Sequence, residues 1–293
     1  MHTRAHQPLC IGLGEVLWDL LPGGREPGGA PANFAWHARQ LGAEGRIVSA
    51  VGCDAEGDAL LAELERRGLP TDGIGRSALP TGSVTVQLDA AGTPSYRIRE
   101  EVAWDRLWPG PEAEALVARA EALCFGSLAQ RTHAGGHALR ALVTACRGLR
   151  VFDCNLRQHH WDRQGLEASL QLAHVLKLND EELAVLTPLL GLGRDPHGAM
   201  QELAARHGLR GVALTRASGG SSLLLDGSLV VQGPTSVDVV DTVGAGDAWC
   251  AALALGILRG HDPARIAAHC HEVASFTCTR RGAMVQLPAS LRA

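Results

Sequence analysis

One stretch of the chain combines residue types that could move a proton beside an anion: Val237-Asp238-Val239-Val240-Asp241-Thr242-Val243-Gly244-Ala245-Gly246-Asp247-Ala248-Trp249. An apolar, β-prone run leads into a glycine-rich turn and then into the apolar helical stretch Ala248–Leu258. A helix starting near Ala245 would direct its free backbone N–H groups and its positive dipole end towards Gly244–Gly246. That is where an anion such as a transferring phosphoryl group is stabilised. The small residues Gly244, Ala245 and Gly246 allow it to approach the backbone closely. Asp247 then falls in the first turn, beside the anion. A carboxylate cannot ligate a phosphate of like charge, but it can accept the proton of an attacking hydroxyl as a general base. The plainer account has Asp247 complementing the helix dipole and Asp241 capping a turn. A lone Gly-x-Gly-Asp would favour that account; the seven residues from Asp241 to Asp247, placed between a strand and a long helix, are far more specific.

Two further constellations can be read from residue types. Gly28-Gly29-Ala30-Pro31-Ala32-Asn33 places glycines just before a helix, where backbone N–H groups can meet a small polar ligand. Asn33 adds both a donor and an acceptor. Asn179-Asp180-Glu181-Glu182 follows an apolar run and has the form of a capping box, Asn179 with Glu182 three residues on.

The elements that position these residues alternate between β-like and helical patterns, which predicts a mostly parallel sheet covered by helices on both faces. Leu9–Trp18 reads as a first strand, and Pro31–Leu41 as a helix with Pro31 near its start and Gly42 past its end. Ile47–Val51 is strand-like, and Ala55–Arg67 is a helix stopped by Gly68. Further strands are expected at Ala122–Phe125, Leu149–Phe152, Val175–Leu178 and Gly211–Thr215, with helices around 112–119, 134–146, 165–172, 180–190 and 196–207. Val84–Leu88 and Ser95–Arg99 break the alternation. They flank Asp89-Ala90-Ala91-Gly92 and read as a hairpin, either an ordinary edge or a flap over a site.

Composition narrows the function. At 293 residues with a formal net charge of −4, the chain has no electrostatic footprint for nucleic acid. The eight cysteines form no CxxC pair and suit reduced, mostly buried thiols. The longest apolar stretch has eleven residues, whereas a membrane span needs about twenty. A soluble cytoplasmic protein is expected. Lys177 is the sole lysine, a bias most simply ascribed to a GC-rich genome. With no Gly-Lys-Ser/Thr, a Walker A loop is excluded, and a protein-kinase-type site lacks its lysine before a helix glutamate. His269-Cys270-His271 with Cys278 is a poor zinc set, because residues two apart on a helix point to nearly opposite faces.

Residues 241–247 resemble the C-terminal signature of the PfkB, or ribokinase-like, carbohydrate kinases, and the resemblance spans nearly the whole chain. It implies a three-layer α/β/α fold with a mostly parallel central sheet and a small β lid. The whole chain, 1–293, would be one kinase domain with lid segments at about 17–30 and 80–102. Asp247 would be the base, with Gly244, Ala245 and Gly246 forming an anion hole. Gly14-Glu15-Val16-Leu17-Trp18-Asp19 is similar to the end of the family's first strand, so Asp19 would bind sugar hydroxyls together with Gly28, Gly29 and Asn33. Asn179 would meet the nucleotide, and Glu182 would organise Mg2+ through its waters. Asp153-Cys154-Asn155-Leu156-Arg157 resembles a stretch near the phosphates, with Arg157 neutralising charge. Thr215-Arg216-Ala217-Ser218-Gly219-Gly220 is similar to the family's Thr-x-Gly-x-x-Gly nucleotide loop, with Ala217 in place of a glycine and Thr215 and Gly220 retained. His271 falls near the expected adenine. A monovalent cation, K+ by implication, would draw on Asp241, Val243, Thr277, Arg280 and Gly282, although Gln286 replaces a common hydroxyl there. The substrates implied are ATP and a sugar, with no nucleic acid or membrane partner and a homodimer formed through the lid. Gly14–Asp19, Phe125–Arg131 and Asn155–Arg157 are most similar to fructokinases. Ribose, 2-keto-3-deoxygluconate, nucleosides and sugar phosphates are the alternative acceptors, and a non-catalytic sugar-binding regulator is the alternative class.

Overall fold

The computed structural model describes residues 6–88, 94–107, 110–234 and 236–292. Strand β1 (Leu9–Leu13) is buried throughout and sends Leu9, Ile11 and Leu13 into one core and Cys10 into another. That period of two is what a strand covered on both faces requires. The run read as one strand to Trp18 is in fact two. Gly14 takes φ 145°, Glu15 is buried, and the chain resumes as β2 (Leu17–Leu21) in a separate sheet. β3 (Gly24–Gly28) returns antiparallel to it.

Helix α1 (Ala30–Gln40) starts on Gly29, whose φ of 107° favours glycine. β4 (Glu44–Gly52), α2 (Ala55–Arg66) and β5 (Ile74–Ser77) follow, then the hairpin β6 (Gly82–Leu88) and β7 (Pro94–Ile98). The hairpin's turn, Asp89–Gly92, lies outside the described residues. From there helices and strands alternate: α3 (Pro111–Arg119), β8 (Ala122–Gly126), α4 (His133–Ala145), β9 (Leu149–Asp153), α5 (Arg163–Leu172), β10 (Val175–Asn179), α6 (Asp180–Leu190), α7 (Pro196–His207) and β11 (Gly211–Thr215). The chain ends with the hairpin β12 (Ser221–Leu225) and β13 (Ser228–Gln232), then α8 (Ala245–Leu258) and α9 (Pro263–Cys278). Side chains of Asp54, Thr132, Asp162, Asn179, Asp195 and Asp262 each accept an N–H three residues on and so start their helices. Among the described residues, no helix is long and apolar enough to cross a membrane.

Nine strands form the large sheet, in the order β13-β12-β11-β10-β9-β8-β1-β4-β5, parallel except for β12 and β13. Helices α3 to α7 cover one face, while α8, α9 and part of α1 cover the other. Chain order runs outward from β1 in both directions, so the crevice at the carboxyl ends of β1 and β8 is a topological switch point, where ligands bind in open α/β sheets. The small sheet has the order β3-β2-β6-β7, with β2 and β6 parallel.

The valines before the glycine-rich turn do not form the expected strand. Val239 and Val240 are 61% and 63% exposed, and the amides of Val240 and Asp241 both donate to the Cys278 carbonyl at the end of α9. β3, β5 and the β12–β13 hairpin are additions to the sequence reading; the last turns on Asp226-Gly227, with φ 50° and 82°.

A buried ion pair fixes the root of the small sheet. The Arg131 guanidinium donates to both oxygens of Asp105 (2.6 and 2.7 Å), lies 4.1 Å over the Trp104 ring and donates to the Arg99 carbonyl at 2.7 Å. Asp105→Ala would strand a buried guanidinium, so urea unfolding should show a loss of about 3–5 kcal/mol. A loss below about 1 kcal/mol would place the pair among solvent-screened ones.

Candidate active site

The carboxyl ends of β9 and β10 carry the central charges. Along β9, Val151 belongs to the α8-side core, and along β10 Val175 does. Two residues on, strand alternation sends Asp153 and Lys177 to the same side, where the register sets them directly opposite one another. Lys177 Nζ donates to Asp153 Oδ1 at 3.0 Å, and both side chains are buried. Cys250 of α8 donates its thiol to Asp153 Oδ2 at 3.6 Å. Burial alone would lower the Lys177 pKa, but Asp153 and the neighbouring carboxylates more than reverse this and hold the amine charged. A Cβ on Gly246 would stand 2.8 Å from Lys177 Nζ, so this glycine admits the ammonium to the start of α8. Composition alone assigns Lys177 no role; its signal in the sequence is its strand parity with the core residue Val175.

Gly244 is the N-cap of α8 in a left-handed conformation (φ 79°), and a Cβ there would lie 2.7 Å from the Ala283 backbone. Asp247 sits in the first turn, as expected. Its Oδ2 accepts from Asn33 Nδ2 at 2.8 Å, which joins the two sequence signatures. The assignment of the amide follows from chemistry, because only its N–H₂ can donate to a carboxylate. Asn33 Oδ1 is buried and has no partner among the described residues, and the same holds for Glu15 Oε2. Burial, reinforced by Asp153, pushes Asp247 up to about 6. Burial likewise raises Glu15 to about 7 and Asp19 to about 6. Arg157 lies near enough to oppose all three shifts. The Asp19 carboxylate lies over Gly28, where a Cβ would meet its Oδ2 at 2.1 Å. Glu15 joins these residues unexpectedly; a glutamate directly after an apolar strand is the sequence signal for it.

At the other end of the crevice the capping box is present. Glu182 N donates to Asn179 Oδ1, and Asn179 N to Glu182 Oε2, both at 2.8 Å. Glu182 Oε1 also accepts from Leu156 N at 3.0 Å, which ties α6 to the loop after β9. Burial raises the Glu182 pKa, with Lys177 and the backbone donors opposing. Thr215 ends β11, and Gly220 takes φ 87° where a Cβ would meet the Gln232 carbonyl at 2.1 Å. Ala217 is left-handed at φ 42°, which explains why a glycine suits that place. His271 is partly buried on α9, the helix alongside β12 and β13.

The Asp241 loop gathers some of its expected members. Asp241 Oδ1 accepts from Val243 N at 3.0 Å and Oδ2 from Gly282 N at 2.9 Å. The Thr277 hydroxyl donates to the Val273 carbonyl, the Arg280 amide donates to the Thr277 carbonyl, and the Arg280 side chain stacks over Phe276. Among the described residues, these contacts leave the backbone carbonyl of Arg280 and a second lone pair of the Thr277 carbonyl uncommitted.

A carboxylate beside a helix start, a buried ammonium and an amide with an unpaired oxygen stand together in the crevice, an arrangement that could pass an anion to a hydroxyl. The family model of pfkB family carbohydrate kinases matches residues 23–290. The chain belongs to this family. A putative sugar kinase of Pyrococcus horikoshii is 31% identical over 94% of this chain and 91% of its own. A fructokinase of Klebsiella pneumoniae is 30% identical over 94% of this chain and 95% of its own. The structure of a Xylella fastidiosa fructokinase with bound ATP superposes with a TM-score of 0.84 at 25% identity, covering 95% of each chain. The fold is ribokinase-like, and the protein is a sugar kinase of the pfkB family.

Asp247 must be unprotonated to act as a base. With its pKa raised to about 6, kcat should fall as the pH drops through that value. Lys177 lowers the Asp247 pKa, so Lys177→Met should move the acid limb of the pH–rate profile to higher pH. An unmoved limb in a folded Lys177→Met variant would separate Lys177 from the base.

Proposed function

We propose that this kinase transfers the γ-phosphoryl group of ATP to a hydroxyl of fructose, with Asp247 as the general base. The observation that carries the reading is the Asn33–Asp247 hydrogen bond at the start of α8, next to Lys177. The sugar hydroxyl passes its proton to Asp247 as its oxygen bonds to the γ-phosphorus, while the bond from phosphorus to the ADP oxygen breaks. Negative charge on the moving group faces the start of α8 at Gly244, Ala245 and Gly246, the Ala245 amide giving up its 3.3 Å bond to the Thr242 carbonyl, with Lys177 and Arg157 supplying positive charge. The buried Asn33 Oδ1 is left to accept a second sugar hydroxyl, and Asp19, lying over Gly28 and near Gly29, accepts others.

On the nucleotide side, Asn179, Thr215 and Gly220 line the approach, with His271 towards the base. Glu182 already accepts two backbone N–H bonds, which suits it to hold Mg2+ through water, and the ion would neutralise phosphate charge. A K+ ion would draw on Asp241 and on the backbones of Val243, Thr277, Arg280 and Gly282, a loop that the Val243 and Gly282 amides tie to the Asp241 carboxylate, and no step depends on that ion. The small sheet, with lid segments at about 17–30 and 80–102 of a single domain, closes over the sugar. Its exposed Leu21 and Tyr96 favour a homodimer formed through it. Fructose is preferred because Gly14–Asp19, Phe125–Arg131 and Asn155–Arg157 resemble fructokinases, and relatives bear that name.

A coupled ADP assay across sugars and nucleosides should give the highest kcat/KM with fructose. A higher value with ribose or 2-keto-3-deoxygluconate would keep the kinase and replace the sugar. Asp247→Asn should leave ATP and sugar binding intact while kcat falls by roughly 10²- to 10⁴-fold. A variant retaining more than half of the native kcat would remove Asp247 as the base.

A further inference from the structure

Among the described residues, one cluster of side chains outside the crevice has metal-ligand chemistry. Glu100 follows β7, at the root of the small sheet, while His159 and His160 lie in the loop after β9, two and three residues beyond Arg157. His159 Nε2 lies 3.6 Å and His160 Nδ1 3.9 Å from Glu100 Oε1, and the three ligand atoms all fall within 4.8 Å of one another. Donors about 2.0–2.2 Å from a tetrahedral Zn2+ sit about 3.3 Å apart, so small rotations of the two outer side chains would bring all three into range. Those two are free to move, since Glu100 and His159 are 64% and 78% exposed at the side chain. His160 is the fixed member. It is buried and its amide donates to the Arg157 carbonyl at 2.9 Å. Two imidazoles and one carboxylate, with a fourth position open to solvent, suit a borderline divalent ion rather than Mg2+. A solvent-exposed Glu–His pair alone would contribute little; a third, buried donor changes the chemistry.

We propose that Glu100, His159 and His160 bind one Zn2+-type divalent ion that ties the root of the small sheet to the loop carrying Arg157. The two segments already touch here, because Gln158 Nε2 donates to the Tyr96 carbonyl at 2.6 Å. A bound ion would add a second tether and restrain movement of the small sheet relative to that loop. The set is distinct from the expected Mg2+ position at Glu182 and from the Asp241 loop.

The test is titration of the nucleotide-free protein with Co2+ and Zn2+ in a Cys53→Ser background, because Cys53 is an exposed thiol. One equivalent should bind, with a Co2+ spectrum free of thiolate charge-transfer absorption. His159→Ala and Glu100→Gln should each weaken binding by at least about tenfold, the lower end of what perturbing a metal site costs. Both positions are exposed, so folding should survive. Zn2+ should slow hydrogen exchange at 96–101 and 157–161 in the native protein and not in either variant. Unchanged affinity in both variants, or a thiolate-type Co2+ spectrum, would overturn the proposal.

Discussion

The ion pair of Lys177 with Asp153 is the constraint around which the crevice is arranged. Both charges sit at the carboxyl end of a parallel sheet, buried beneath the first turn of α8. Neither could be there alone, because an unpaired charge in that environment would be neutralised or would unfold its surroundings. Together they leave the ammonium charged and within reach of Gly246, so positive charge stands where the helix dipole already favours an anion. The same pair acts on Asp247 in opposite senses, Asp153 raising its pKa and Lys177 lowering it. The carboxylate therefore stays close to neutral pH, basic enough to accept a proton and still ionised at pH 7.

That balance also bears on the ligand. Glu15 lies close enough to Asp247 to be raised by it, and Arg157 opposes the shifts of Glu15, Asp19 and Asp247 alike. A second anion would fit poorly among them. A neutral molecule rich in hydroxyl donors would satisfy their lone pairs and the orphaned Asn33 Oδ1 without adding charge. The crevice is thus polarised, with hydrogen-bond acceptors at the β1–β2 end and positive charge at the start of α8, as the proposed transfer to a sugar would require. A sugar kinase needs that division.

Much of this was legible in the sequence because local chemistry coincides with the fold. The helix caps, the glycine-rich turn and the alternation of strands and helices each follow from short-range preferences. What escaped depended on long-range partners. Val237–Val240 looks like a strand by composition, but the amides at its end, of Val240 and Asp241, are claimed by the Cys278 carbonyl and the run joins no sheet. The break at Gly14 follows from turning Glu15 into the crevice, which no propensity encodes. Asp226-Gly227 between two apolar runs is a hairpin signal, obscured by the helical alternation around it. Lys177 carried its own clue in strand parity with Val175, yet the pairing with Asp153 exists only through the register of β9 and β10.

The catalytic turn is held by chain segments that meet late in the sequence order. Asn33 and Asp247 are 214 residues apart, and their hydrogen bond requires α1 and α8 to pack side by side. The segment around Ala283 fastens this arrangement. Trp36 donates its indole N–H to the Val285 carbonyl at 2.9 Å, and His37 Nε2 bonds to the Ala283 carbonyl at the same distance. Burial lowers His37 to about 4, so the ring is neutral and its Nε2 carries the proton that a carbonyl requires. Ala283 in turn presses on Gly244, leaving no room for a Cβ. The conformation of the glycine-rich turn is therefore imposed from outside by residues 283–285, clamped by α1. Glycine at 244 is the local consequence of a global packing decision, and the Asp247 carboxylate is positioned only once both ends of the chain are in place.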